Sequence, residues 1–334
     1  MINRQSDNVL SNIHNLVTWH YGQNYPFNGC MAYLMECLGE DIKVFDYWFF
    51  GGITGDNLTQ IYGHNYTMYC DCISVVMPKT MFIKRIFDTI GYQHSYVTKN
   101  QINSNKDMYM DTVMDYIDKG VPVIVKSVQS DECDYGNYNV ICGYEENGKT
   151  LLYLDGDSTE PAKISLEEIV SQDWIFVGKK IKEIDLVLVY REAVMNIPFL
   201  LGMSRTNNCT FGANAFRDWA NDIENGRYDN VVPVNFDEWR DYNIYICNLA
   251  TNSGGCQTFL QKALELNPDL TFIEDIKAQY SKTGQLWKEL EEMGGGFNIT
   301  LETLKNKKKA LMIANKLREV AVCFDEIVKV YLKV

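Results

Sequence analysis

The feature that most limits what this chain can become is a local one. Residues 138–155 read YNVICGYEENGKTLLYLD, two apolar runs on either side of Asn147-Gly148. Asn-Gly tolerates the left-handed backbone of a tight turn, and β-branched and aromatic residues on both flanks favour strands, so the segment predicts an antiparallel hairpin. The preceding VPVIVKSV predicts a short buried strand, KISLEEIVSQ a short helix and KEIDLVLVYR a closing strand. An antiparallel sheet is therefore expected at the back of the first 190 or so residues.

Helices are expected ahead of it. In NGCMAYLMECLG, Asn28 reads as a cap, good helix formers follow, and Gly39 ends the run, which predicts a helix starting at or near Cys30. The next stretch, DIKVFDYWFFGGITGDN, reads as an apolar segment entering a glycine-rich loop, and NLTQIYGHNYTMYCDCISVVM as extended structure. Pro78 opens a helix that closes at Gly91, YQHSYVTK reads as a strand, and Met110, Val113, Met114 and Ile117 recur at helical spacing. Beyond a boundary in NIPFLLGMSRTNN the pattern is helical, with Phe211, Ala215, Trp219 and Ile223 on one face and Gly226 as a stop. The expected organisation is an α+β domain over residues 1–200 and a helical domain over 201–334.

Charge narrows the partners. With 44 acidic and 31 basic residues the formal charge is −13, which repels phosphate backbones and anionic membranes. Neither nucleic acid nor membrane is expected, and the lysine-rich run near the C-terminus reads as a solvated helix face. No apolar leader and no run of eighteen apolar residues is present, so a cytoplasmic protein is expected. Ten cysteines contain no CxxC pair and no zinc spacing. Asp155 with Asp157 falls short of a calcium site, and GGGFN at 294–298 reads as a turn between helices rather than a dinucleotide loop. No cofactor and no metal is expected.

A cysteine in the first turn of a helix faces unpaired backbone N–H groups that favour its thiolate, so Cys30 is the nucleophile candidate. Asp155, at the end of the returning hairpin strand, reads equally as an acid that orients a base or as a turn residue before Gly156.

The order of these segments resembles the butirosin biosynthesis protein H-like N-terminal domain family, within the papain-like, C39-like cysteine group. The resemblance is carried by CMAYLMECLG, YWFFGGITGDN, GVPVIVKSV, VICGYEENGKTLLYLDGD and, in the helical half, SGGCQTFLQKALEL. It implies a papain-like α+β fold and acyl transfer from a carrier-protein thioester to an amine in natural-product biosynthesis. Cys30 would be the nucleophile, Asp155 the orienting acid, and Gln23 or Asn24 the oxyanion amide.

The histidine that the resemblance requires about six residues before Gly143 is Asn137 in this chain. A general base is worth roughly 10²- to 10⁴-fold, and an amide accepts no proton near neutrality. Of the four histidines, His14, His20, His64 and His94, the one in the glycine-containing YGHNY, His64, is the alternative base. Two readings stand beside each other: an active cysteine acyltransferase or peptidase-like hydrolase, and a degenerate relative that binds a peptide, carrier arm or small molecule without turnover. A third, an interaction protein that dimerises through the helical half, is compatible with the aromatic and acidic helices after residue 208.

Overall fold

The computed structural model describes residues 4–64, 77–126, 138–206 and 208–333. In chain order the elements begin with β1 (Asn8–Val9), α1 (Pro26–Cys37), α2 (Tyr47–Thr54) and β2 (Ile61–Gly63). Then come α3 (Lys79–Ile90), β3 (Tyr92–Val97), α4 (Lys99–Ser104), α5 (Lys106–Asp118) and β4 (Val123–Lys126). The hairpin strands are β5 (Tyr138–Glu145) and β6 (Thr150–Leu154), followed by β7 (Ala162–Ser165), α6 (Leu166–Ile169) and β8 (Asp173–Lys180). The rest is α7 (Leu186–Met195), α8 (Ile197–Leu201), β9 (Cys209–Phe211), α9 (Gly212–Glu224), α10 (Ile244–Leu266), α11 (Ile273–Glu292), α12 (Leu301–Lys305) and α13 (Lys307–Tyr331).

These elements form two compact units, one of Met1–Phe50 with Ser74–Ile184, the other of Gly51–Ile73 with Asp185–Val334. The units are interleaved along the chain, where the sequence pattern suggested one division between residues 200 and 201.

The first unit holds a sheet of seven strands in the order β3-β8-β4-β5-β6-β7, with β1 also paired to β5, and every pairing is antiparallel. The expected antiparallel sheet with helices is thus present. Register separates its two faces. Ile124 pairs with both Ile175 and Val140, and His94 with Val177, so these side chains share a face. That face meets α3, where Phe87 stacks on His94 at 4.9 Å, and α1, where Phe27 lies 4.8 Å from Tyr138. Trp174 and Phe176 point the other way, towards Tyr109 and Tyr116 of α5 at 6.4 and 5.2 Å. Met110, Val113, Met114 and Ile117 bury the inner side of α5, as their spacing predicts.

Three local expectations are corrected here. The strand expected at KEIDLVLVYR is helix α7, because Asp185 caps it through the N–H groups of Val187 and Leu188 and outweighs the β-branched content. The closing strand is instead DWIFVGKK, β8. The loop expected at YWFFGGITG is helix α2, despite two internal glycines. At Gly52 a Cβ would stand 2.1 Å from the ring of Phe259, so close packing rather than flexibility demands glycine there.

The second unit is helical, apart from the β2–β9 pair. Its core joins α9 to α13 through Phe216 and Phe324 at 5.1 Å, with Tyr280 of α11 at 5.9 Å from Phe324. Ala215, Trp219 and Ile223 are buried as expected on α9, and DEWRDYNIYICNLATN with GGCQTFLQKALEL becomes mostly one long helix, α10. The lysines at the start of α13 are exposed while Ala310, Ile313, Ala314 and Leu317 face inward.

Candidate functional site

Helix α1 begins earlier than its sequence suggests. Pro26 occupies the first helical position, where its missing N–H costs nothing and its fixed φ suits the helix, so Tyr25 is the cap. Asn28 is therefore a buried third residue and not the cap, and Cys30 is the fifth residue, beyond the amides that lack intrahelical partners. Its side chain is fully buried. The expectation of a first-turn cysteine is corrected accordingly.

Phe27, Cys30, Leu34 and Cys37 share one stripe of α1, at the i, i+3, i+4 spacing that aligns side chains. The N-terminal end of the stripe meets the start of β5 through Phe27 and Tyr138, and Phe82 of α3 closes the group at 5.3 Å from Phe27. Farther along, Cys37 lies 3.3 Å from the Asn12 amide. Burial pushes the Cys37 thiol up, and pushes the Cys142 thiol of β5 up to about 12.

The loop ahead of α1 ties this end of the helix to the hairpin. At Gly29 a Cβ would stand 2.2 Å from the Leu16 carbonyl oxygen, so only glycine lets residues 16–17 lie on the helix. Leu16 and Val17 both donate N–H bonds to the Gly156 oxygen, at 3.0 and 3.1 Å. Gly156 has φ +45°, and the Trp19 ring covers it. Gln23 Oε1 accepts the Thr18 N–H at 2.8 Å, which orients its side-chain amide, and Asn24 is buried next to it. Asp155, immediately before Gly156, is exposed. A continuous set of contacts thus links the Cys30 helix, the Gln23–Asn24 loop and the Asp155 turn.

Asn137 lies outside the described residues; the strand is seen from Tyr138 onward. His64 belongs to the other unit, where Nε2 lies 3.7 Å from Asp218. Burial holds its imidazole below the ordinary range, Arg205 adds to this, and Asp218 opposes it. In the first unit, His14 Nε2 is 2.8 Å from Glu36, and His94 stacks on Phe87.

One side chain near this region is not singled out by its sequence context. Lys126 ends β4 and pairs in register with Tyr138, and only 1% of its surface is exposed. Its ammonium nitrogen stands 5.2 Å from the centre of the Tyr138 ring, on the sheet face that meets α1. In sequence it looks like an ordinary strand-ending lysine. The only hint is that VPVIVK offers no polar alternation to carry it outward.

Among the described residues no cluster of three or more His, Cys, Asp or Glu side chains could hold a metal, and no helix is long and apolar enough to cross a membrane. No protein-family model matches the chain, and no curated protein matches it significantly.

Proposed function

We propose that the first unit is a papain-like, C39-like cysteine domain of the butirosin biosynthesis protein H-like type, and that it carries an acyl group on Cys30. The Cys30 sulfur attacks the carbonyl of an acyl thioester and releases the donor thiol. An amine then attacks the acyl-enzyme, forms the amide and frees the cysteine. The amides of Gln23 or Asn24 supply oxyanion donors, Asp155 supplies the acid at the end of the returning hairpin strand, and Asn137 occupies the base position. The setting is natural-product biosynthesis in the cytoplasm, with an acyl carrier protein as donor. Peptide-bond hydrolysis by the same cysteine belongs to the same chemistry.

The observation that supports this reading is the Phe27–Tyr138 contact at 4.8 Å, which packs the cysteine helix against the start of the hairpin strand that follows Asn137. The test is incubation with short-chain acyl thioesters of N-acetylcysteamine, followed by intact mass and peptide mapping. An acyl adduct confined to Cys30, and lost in Cys30→Ala, is expected. Equal thioester turnover by Cys30→Ala overturns the proposal.

A second reading is favoured by the complete burial of Cys30 and by asparagine at position 137. In it the domain binds a peptide, carrier arm or small molecule without turnover. Saturable binding of the thioester with no adduct at any pH selects it.

A further inference from the structure

Aromatic side chains carry much of the apolar area that a fold gains by burying, so three of them gathered at the surface need a reason. In the helical unit, Trp239 is 50% exposed, Phe297 is 38% exposed and Trp287 is half-buried. Their rings are ordered with respect to one another. Trp239 and Phe297 lie nearly parallel, at 12° with ring centres 6.4 Å apart, and Trp287 stands across Phe297 at 79° and 5.4 Å. Packing among the rings does not account for Trp239, which keeps half of its surface in water.

The backbone that presents these rings is irregular on one side and glycine-rich on the other. Trp239 opens a π turn, Trp239–Asn243, immediately ahead of α10, a distortion found frequently at functional positions. From that turn Tyr242 Oη donates to the Gly295 oxygen at 2.7 Å and Asn243 Nδ2 to the Phe297 oxygen at 3.4 Å, which fixes the GGGFN loop against it. Asn243 is only 7% exposed, and its Oδ1 is buried with no hydrogen-bond partner, an open acceptor beside this loop. Glu291 follows Trp287 by four residues on α11, a spacing that puts both on one face, and its carboxylate accepts the Phe297 N–H at 2.8 Å. A Cβ on Gly296 would overlap that carboxylate, so glycine is what lets the acid lie on the loop.

We propose that Trp239, Trp287 and Phe297 form the walls of a binding site for a small alkylated ammonium ion, with Glu291 as its counter-charge. The site belongs to the helical unit and does not depend on the cysteine-domain proposal. Aromatic faces attract a cation through the ring quadrupole, and an alkylated ammonium, which has few or no N–H groups to satisfy, loses no hydrogen bonds against them. A primary ammonium would need acceptors that indole and phenyl rings do not supply. Charge favours a cation as well. Glu238, next to Trp239, is exposed, the chain carries a formal charge of −13, and the guanidinium of Arg240 is paired with Asp241 at 2.9 Å. Lys288, next to Trp287, is exposed to solvent.

The experiment is a titration of the full-length protein with choline, followed by saturation-transfer NMR on the choline methyl signal, with sodium replacing choline so that ionic strength stays constant. The control ligand is the uncharged carbon isostere of choline, in which a tert-butyl group replaces the trimethylammonium. Saturable choline binding with a Kd on the order of 1 mM is expected, and much weaker binding of the isostere. Trp239→Ala should weaken choline roughly 3- to 30-fold, the range of one cation–aromatic contact, and Phe297→Leu should do the same. Glu291→Gln keeps an acceptor for the Phe297 N–H but removes the charge, and should weaken choline about 5-fold. No saturable binding of choline overturns the proposal, as does equal binding of choline and the isostere, which would mark a plain apolar surface. Choline binding unchanged in both Trp239→Ala and Phe297→Leu overturns the placement of the site. Should Trp239→Ala fail to fold, as judged by its circular dichroism, Phe297→Leu alone decides.

Discussion

The two ends of β5 each set a buried tyrosine beside a buried or half-buried cation, through different contacts. At the C-terminal end, the Tyr144 hydroxyl donates to Asp118 at 2.7 Å, and Asp118 also receives the Asn8 amide at 2.8 Å and Arg4 Nε at 3.0 Å. Arg4 reaches Asp111 and Asp115 of α5 as well, so one guanidinium is surrounded by three carboxylates. Its charge is consumed locally, and it fastens the N-terminal segment to α5. At the N-terminal end, Lys126 lies over the face of Tyr138, and its cross-strand acid, Asp173, is engaged with Tyr96 and Lys99. A cation met by an aromatic face is attracted by the ring quadrupole. One end of the strand is built to hold the fold together. The other packs the cysteine helix against the sheet through Phe27 and Tyr138.

The cysteine between these ends gives the largest expected effect. Cys142 is fully buried, and burial drives its thiol up to about 12. At pH 8 its thiolate fraction should be roughly 10³-fold below that of a free thiol, whose pKa is about 8.5. Iodoacetamide at pH 8 should therefore leave Cys142 unmodified in the native protein and label it in urea, as peptide mapping would show. Native labelling of Cys142 at the rate of a free thiol would show that the middle of the strand is not closed to solvent.

Packing at the Tyr138 end comes next in size. Phe27→Ala removes the ring that bridges Tyr138 and Phe82, and a buried Phe→Ala change costs about 3–5 kcal/mol. Gly29→Ala forces a methyl group against the Leu16 carbonyl and should cost about 1–3 kcal/mol as residues 16–17 are displaced. Both are measured by urea unfolding with an unchanged m-value as the criterion. A loss under about 1 kcal/mol for Phe27→Ala would show that this end of the helix is not held by the aromatic group.

Much of this arrangement was legible in the sequence where local signals act alone. The hairpin, the α3 stop at Gly91 and the inward face of α5 depend on turn chemistry and periodicity, which are properties of a few adjacent residues. Legibility failed where a distant group decides the local state. Gly51 and Gly52 read as a loop because the sequence does not reveal the Asn57 and Phe259 side chains that fill the space of their missing Cβ atoms. The α1 start was misplaced by four residues because Asn28 resembles a cap more than Pro26 resembles a first helical residue. In the candidate site, Cys30 and Asp155 could be named from their positions in motifs. Lys126 could not, since its pairing with β5 and the Tyr138 ring beside its ammonium are tertiary features.

The smallest expected effect lies at the Tyr144 end and depends on pH. Partial burial tends to raise the Asp118 carboxyl, but the bonds from Asn8, Tyr144 and Arg4 prevail and hold it below the ordinary range. An acid whose folded pKa is depressed adds stability above its unfolded pKa of about 3.9 and loses that contribution as pH falls through the folded value. Tyr144→Phe removes one donor from this carboxylate and should cost about 1 kcal/mol at pH 7. Because the phenol bonds best to the ionised acid, the penalty should shrink as pH falls from about 4 towards 2, where the carboxyl is protonated in both states. Urea midpoints of wild type and Tyr144→Phe at pH 7 and at the lowest pH that retains the fold give the comparison. A penalty constant across that range would place the tyrosine's contribution in its packing, and the network of three acids around Arg4 would no longer distinguish this end of the strand from the other.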